Sequence, residues 1–285
     1  MRPPDKPVAY FGHHKAASSW IRLILETLCR QARIPHAGFD NPAQFDHNLP
    51  DWLRAHPVRV ISYTNAAWQD VEPLMPLRGI HLIRDPRDIL VSAYHSHRNS
   101  HPTDAWPELL PHRQKLQALD TEDGLLEELV FSECYLRQID TWTDDHPEIL
   151  ELRFEEVTAH PTDALLRAFA WLGLVDEGDP SPARYLEDAW LALAPAIRRI
   201  TRGRWYPQGI PRQQIPADRV LRETHHHRFA RKSGGRKRGQ EDSKSHYRSG
   251  KAGGWRTSFT PRLQAAFEER YPGLVTRLGY PDWDS

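Results

Sequence analysis

The chain has 285 residues, with 38 Lys plus Arg against 38 Asp plus Glu, so its formal charge is zero and no global field favours nucleic acid or an anionic membrane. That length suits one large α/β domain with insertions, residues 1–285, and any anion binding has to be local. Two cysteines, Cys29 and Cys134, lie in helix-like segments where a buried thiol is the default, which fits a reducing compartment; no apolar run approaches the ~20 residues that span a bilayer and no signal-peptide core is visible, so a cytoplasmic location is expected.

In chain order, Val8–Phe11 reads as a strand that enters the turn Gly12-His13-His14-Lys15-Ala16-Ala17-Ser18-Ser19 and then an apolar-periodic helix from Trp20 to about Arg33. Backbone N–H groups of such a turn and of the helix's first turn converge on a point that favours an anion, most often phosphate. Lys15 adds a full positive charge, and Ser18 and Ser19 can each cap the helix or bond a phosphate oxygen. Taken alone, the stretch fits equally well a capped, buried helix with a surface lysine.

Residues 34–57, with their prolines, Gly38 and scattered Asp, Asn and His, read as a long irregular stretch whose polar members are candidate substrate contacts. A second strand follows at Val58–Tyr63, with Thr64, Asn65 and Ala66 at its carboxyl end. Gly79–Ile83 is a third strand, and Arg84-Asp85-Pro86-Arg87-Asp88 turns into a helix from about Ile89. Alternating strands and helices imply a central parallel sheet flanked by helices, and ligands of such sheets bind outside the carboxyl ends of the strands. Both motifs fall on that edge.

Gly124–Trp142 reads as one long amphipathic helix, residues 148–154 as a fourth strand, and Pro161–Leu172 as a helix stopped by Gly173. Tyr185–Ile200 reads as helical despite Pro195. From 201 to 255 apolar residues become sparse and Arg228–Gly239 is basic and glycine-rich, which predicts a flexible insert or a lid that orders over an anionic ligand. A last helix starts at Thr260-Pro261.

With these segments in view, the sequence resembles the sulfotransferases that use 3'-phosphoadenosine 5'-phosphosulfate (PAPS), and the resemblance implies their P-loop-like architecture. Three separated matches carry it. Lys15-Ala16-Ala17-Ser18-Ser19-Trp20 is similar to the family's Lys-Ser/Ala-Gly-Thr-Thr-Trp loop for the 5'-phosphosulfate. Arg84 to Tyr94 resembles the segment in which an arginine and a serine eight residues later, here Arg84 and Ser92, bind the 3'-phosphate. Tyr247 to Arg256 resembles the Arg-Lys-Gly segment that closes over the nucleotide, with Arg248, Ser249 and Gly250 at its matching positions. The departures are Ala17 for a glycine, Ser249 for a lysine and Gly254 for an aspartate.

The resemblance implies transfer of a sulfuryl group from PAPS to a hydroxyl or amine of a small-molecule, glycan or lipid acceptor, with Lys15 on the leaving oxygen and no metal required. It also implies a general base. Relatives place a histidine at the carboxyl end of the second strand, where this chain has Thr64. Others use a residue after the first helix, which leaves His36 and Asp40 as the favoured candidates beside Asp46. His13, His14, His95 and His97 also lie near the motifs, and Phe39, Trp52, Trp68 and Trp106 are packing residues that could line an apolar pocket.

The rival readings are weaker. A P-loop kinase or NTPase would carry Gly-x-x-x-x-Gly-Lys-Ser/Thr, which is absent, although a catalytically impaired binder of the nucleotide fits the same motifs. A metal site at His225-His226-His227 would need consecutive side chains to face one ion. Specific nucleic-acid binding through Arg228–Arg256 finds neither net charge nor a known module behind it.

Overall fold

The computed structural model describes residues 7–142, 146–176, 178, 182–202, 204–205, 213–237, 239–240, 242 and 252–283. Four short segments, β1 (Val8–Phe11), β2 (His36–Phe39), β3 (Val60–Tyr63) and β4 (Gly79–Ile83), join β5 (Ile149–Arg153) in a parallel sheet of order β2-β3-β1-β4-β5. The central strands β3 and β4 are buried along their whole length and mostly apolar, with Ser62 and His81 as buried polar exceptions. Their side chains alternate between two cores. Tyr10, Ile80, Leu82 and Leu152 point into one, and Ala9, Phe11, Ile61 and Tyr63 into the other.

The first core is closed by α1 (Ser18–Ala32). Between β2 and β4 come α2 (Leu49–Ala55) and α3 (Trp68–Val71). After β4 the chain forms α4 (Pro86–Asn99), α5 (Leu109–Ala118), α6 (Thr121–Phe131) and α7 (Glu133–Asp140), and after β5 it forms α8 (Phe154–Ala159) and α9 (Pro161–Trp171). Leu165 and Phe169 of α9 meet Ile21 and Leu25 of α1 in that first core. A third core gathers Leu90 and Tyr94 of α4 with Leu129 of α6.

The remaining elements are β6 (Val175–Asp176), α10 (Pro182–Ala192), α11 (Ala194–Ile200), β7 (Ile215–Pro216), α12 (Ala217–His226), α13 (Phe229–Lys232), α14 (Pro261–Arg270) and α15 (Leu274–Arg277). Thr260 caps α14 by accepting from the Leu263 N–H, and Phe267 of that helix enters the third core. No helix among the described residues is long and apolar enough to cross a membrane.

Several local expectations need correction. The stretch expected to be irregular contains the edge strand β2 and helix α2, because Asn48 caps α2 through the Asp51 N–H and Pro50 suits its first turn. The single helix expected over 124–142 is two, divided at Ser132, whose hydroxyl turns back to Glu128. Pro195 opens α11 rather than sitting inside one longer helix. Cys29 is buried as expected, but Cys134 is exposed.

The insert expected to be flexible holds an ordered part: β7 pairs with β6, and α12 buries Val220 against the first core while Glu223 accepts from Gln31 of α1 at 2.7 Å. The Trp20 indole also donates to the His227 carbonyl at 2.8 Å.

The sheet order fixes where a ligand can sit. From β1 the chain returns toward β2 and β3, whereas from β4 it continues to β5 on the other side. The carboxyl ends of β1 and β4 are therefore the topological switch point, where a crevice opens.

Candidate active site

The loop after β1 is held in a shape that its residues do not prefer. Lys15 and Ala17 have φ of 60° and 65°, a left-handed conformation that costs an L-residue roughly 1–2 kcal/mol. Surrounding contacts impose it. The Ser18 hydroxyl donates to the His13 carbonyl at 2.6 Å, and the Ala16 N–H donates to the same oxygen at 3.2 Å. At Gly12 a Cβ would stand 2.4 Å from the Ser18 Oγ, so only glycine fits.

Ala17 occupies the N-cap of α1, and no side chain caps the helix. The alternative of a helix capped by Ser18 or Ser19 is therefore not what forms: Ser18 is turned into the loop and Ser19 is exposed. No side chain caps the first turn of α1, in which the Trp20 N–H donates to the Ala17 carbonyl at 3.0 Å, and alternating left-handed residues suit an anion-binding concavity. Trp20 packs at the margin of the first core.

Arg84 follows β4 directly beside this loop. Its Nη1 donates to the Lys15 carbonyl at 2.7 Å, and its guanidinium lies 4.1 Å from the centre of the Phe154 ring. Burial, with the Arg84 charge, holds the Lys15 ammonium down at about 8, while Glu128 acts in the opposite sense. Lys15 remains cationic at neutral pH.

The two aspartates near Arg84 serve other partners. Asp85 caps α4 through the Arg87 N–H at 3.0 Å and grips the Arg87 side chain at 3.0 and 2.9 Å. Asp88 accepts from the Gly253 and Trp255 N–H groups at 2.6 and 3.0 Å. That pair of bonds docks the segment after residue 251 onto α4, with Trp255 stacked on Arg87 at 3.6 Å. Ser92 is half-buried one turn further along α4. Arg248, Ser249 and Gly250 lie outside the described residues.

The two base candidates occupy opposite ends of the sheet. His36 is in register with Val60, which is itself in register with Val8, so it lies at the amino-terminal edge. Its Nε2 is 3.0 Å from Ser62 Oγ, and burial followed by the charges of Arg22 and Arg30 pushes the imidazole down to about 4. This corrects the expectation for His36: the length of β2 separates it from the edge that carries Lys15.

Asp40 follows Phe39, which is in register with Tyr63 and Phe11, and so stands on the carboxyl edge. It accepts from the Thr64 hydroxyl at 2.7 Å and pairs with Arg22 at 2.7 Å, with half of its side-chain surface exposed. The Asn65 amide donates to its carbonyl at 2.8 Å. Phe39 is buried in the second core, and Trp52, itself half-buried, packs on it.

The histidines beside the loop divide into two groups. His13 turns inward, with its Nε2 2.7 Å from His81 Nε2 and Trp142 beside the pair, and burial pushes it down to about 3. His14 turns outward, stacks on Tyr135 at 4.3 Å, and places its Nε2 3.1 Å from His97 Nε2. His97 Nδ1 in turn donates to Glu128, which also accepts from His112 and Ser132. Burial lowers His97 against the pull of Glu128.

Sequence reasoning missed Glu128, His101 and His112 because they come from the end of α4, α5 and α6. The available signal was the spacing of His97 and His101, four residues apart. By contrast, His225, His226 and His227 face Arg228, Arg231 and Glu223 respectively and do not converge.

Residues 75–183 match the family model described as "Sulfotransferase domain", a span that begins before β4 and includes the Arg84–Ser92 segment. In fold the chain is similar to mouse sulfotransferase SULT7A1 complexed with PAP, with a TM-score of 0.50 and 15% identity over 95% of this chain and 85% of that one. It is also matched to retinol dehydratase in complex with androsterone and inactive cofactor PAP, at a TM-score of 0.46 and 15% identity over 100% of this chain and 84% of that one. No curated protein matches the sequence. The resemblance to sulfotransferases thus extends from three short motifs to a matched segment and a shared α/β architecture with a central parallel sheet.

Proposed function

We propose that the chain is a PAPS-dependent sulfotransferase acting on a hydroxyl or amine of a small-molecule, glycan or lipid acceptor. The observation that carries this reading is the joining of the Lys15 loop and Arg84 across the switch point by a 2.7 Å bond. A nucleotide with one phosphate at each end of a ribose needs two cationic sites about a ribose apart on one edge. The left-handed backbone at Lys15 and Ala17, the uncapped start of α1 and the lack of room for a Cβ at Gly12 suit a 5'-phosphosulfate. Arg84 and Ser92 suit the 3'-phosphate, since a planar guanidinium fork can bond two phosphate oxygens at once and a serine hydroxyl can donate to a third.

PAPS, when bound, supplies the sulfuryl group and the leaving 5'-phosphate of PAP, its desulfated product. In the in-line displacement the acceptor oxygen or nitrogen bonds to sulfur as the bond from sulfur to the phosphate oxygen breaks. Lys15 holds the negative charge that develops on that oxygen. Asp40, on the same edge, takes the acceptor's proton, and Thr64 and Arg22 fix its carboxylate.

The test is labelled PAPS offered with a panel of hydroxylated and amine acceptors. We expect transfer by the native chain and a loss of ~10²-fold or more in Lys15→Ala with its circular dichroism intact. Full activity in that variant would reject the role of Lys15. Binding of PAP with no transfer to any acceptor would instead favour an impaired nucleotide-binding relative.

A further inference from the structure

A group of side chains beside the loop is left unexplained by sulfuryl transfer. Ring nitrogens of His14, His97 and His101 lie within 4.8 Å of one another. They come from two places in the chain: His14 from the loop after β1, and His97 and His101 from the carboxyl end of α4 and the turn beyond it. We propose that these three histidines form a binding site for a divalent transition-metal ion of the zinc class. The proposal does not depend on the transferase reading.

Four features support it. First, the spacing is close to that of a coordination shell. An ion bound at about 2.0–2.1 Å sets tetrahedral ligand nitrogens about 3.3–3.4 Å apart, and the Nε2 atoms of His14 and His97 are 3.1 Å apart. An ion between them replaces the proton that this contact shares, as metal binding to imidazole generally does. His101 sits past the last turn of α4, with its ligand nitrogen within 4.8 Å of those of His14 and His97.

Second, the outer ring nitrogens are already engaged. His97 Nδ1 donates to Glu128 Oε1 at 2.8 Å, and His101 Nδ1 donates to the Pro102 carbonyl at 2.9 Å. Each bond puts the lone pair on Nε2 and fixes the ring, the carboxylate–histidine and carbonyl–histidine arrangements that support ligating imidazoles.

Third, the backbone that presents the ligands is tied down. Arg113 of α5 donates to the carbonyl of His97 at 2.7 Å and also to that of His101. His14 is placed by its stack on Tyr135 and by Trp106, which meets His14, His97 and His101 edge-on.

Fourth, the donor set selects the metal. Imidazole nitrogens suit Zn²⁺ and its neighbours, whereas Mg²⁺ and Ca²⁺ need oxygen ligands. Both oxygens of Glu128, the nearest carboxylate, already accept from His97, His112 and Ser132. The related trio of His97, His112 and Glu128 is therefore internally hydrogen-bonded and acts as the support of the site. His14 and His101 keep partial exposure, which gives an ion a route in.

The full chain, stripped with chelator, would be titrated with Zn²⁺ against a competing chromophore and with Co²⁺ by visible absorption. X-ray absorption on the zinc-loaded chain would report the ligands. We expect one tight equivalent, a tetrahedral Co²⁺ spectrum and three nitrogen ligands near 2.0–2.1 Å. His101→Ala, at a partly exposed position, should bind at least 100-fold more weakly, and Glu128→Gln 10–100-fold more weakly. His225→Ala combined with His226→Ala should leave the tight equivalent unchanged. Absence of a tight equivalent, an all-oxygen shell, or an affinity that His101→Ala does not alter while the surface pair does, would overturn the site.

Discussion

The Arg84 guanidinium donates to the Lys15 carbonyl at 2.7 Å, so two motifs 69 residues apart in sequence form one structure at the switch point of the sheet. The bond fixes the carbonyl of a residue held at φ 60° and sets the Arg84 charge beside the Lys15 loop. Arg84→Lys keeps the charge but loses the planar fork. PAP affinity, measured by calorimetry, should fall roughly 10–100-fold, equivalent to losing one charge-assisted hydrogen bond. Native affinity in Arg84→Lys would reduce Arg84 to a generic positive charge.

Ala17 stands where the resemblance leads one to expect glycine, and its φ of 65° explains that preference. Ala17→Gly removes a steric cost of roughly 1–2 kcal/mol and adds about 0.5–1 kcal/mol of unfolded-state entropy, so the net change in stability should be small and stabilising. Urea unfolding would measure it. A loss of more than about 1 kcal/mol would mean that the Cβ makes a contact worth more than the strain.

His36 offers a pH test. Its folded-state value, pushed down to about 4 by burial and by Arg22 and Arg30, lies below the ordinary histidine value of 6.5. The unfolded chain therefore binds the proton more readily than the folded one. Stability from this group is complete above pH 6.5 and is lost as pH falls from there toward 4. His36→Gln should flatten that part of the stability profile and leave sulfate transfer within a few fold of native. A large loss of turnover with unchanged stability would return His36 to the list of bases.

Much of the site edge was legible in the sequence. The runs at Val8–Phe11 and Gly79–Ile83 read as strands and form β1 and β4, and Pro86 after Asp85 marks the start of α4. What escaped reading depended on partners distant in sequence. His36-Ala37-Gly38-Phe39 has little strand character of its own and becomes β2 by pairing with β3. α12 reads as charged and exposed, yet Val220 and Thr224 are buried and Arg219 pairs with Glu187. The histidine group is assembled from the loop after β1, α4, α5 and α6, and no local pattern joins His14 to Glu128.

Asp88 tests the docking of the carboxyl-terminal segment. Its carboxylate accepts from two backbone N–H groups, those of Gly253 and Trp255, and is buried. Asp88→Ala leaves both donors without their acceptor, at a cost of about 1–3 kcal/mol each where they stay buried. The segment should loosen, seen as faster amide exchange at residues 252–259 and a changed Trp255 emission. Unchanged exchange would show that the Arg87–Trp255 stack holds it unaided.

Calorimetry on the native chain with PAP, with adenosine 5'-phosphate lacking the 3'-phosphate, and with ATP–Mg²⁺ addresses the central claim most directly. Two cationic sites joined through Lys15 and Arg84 predict that PAP binds tightest, that loss of the 3'-phosphate weakens binding by 10-fold or more, and that Arg84→Lys removes most of that difference. Tighter binding of ATP–Mg²⁺ than of PAP, or equal affinity with and without the 3'-phosphate, would contradict it.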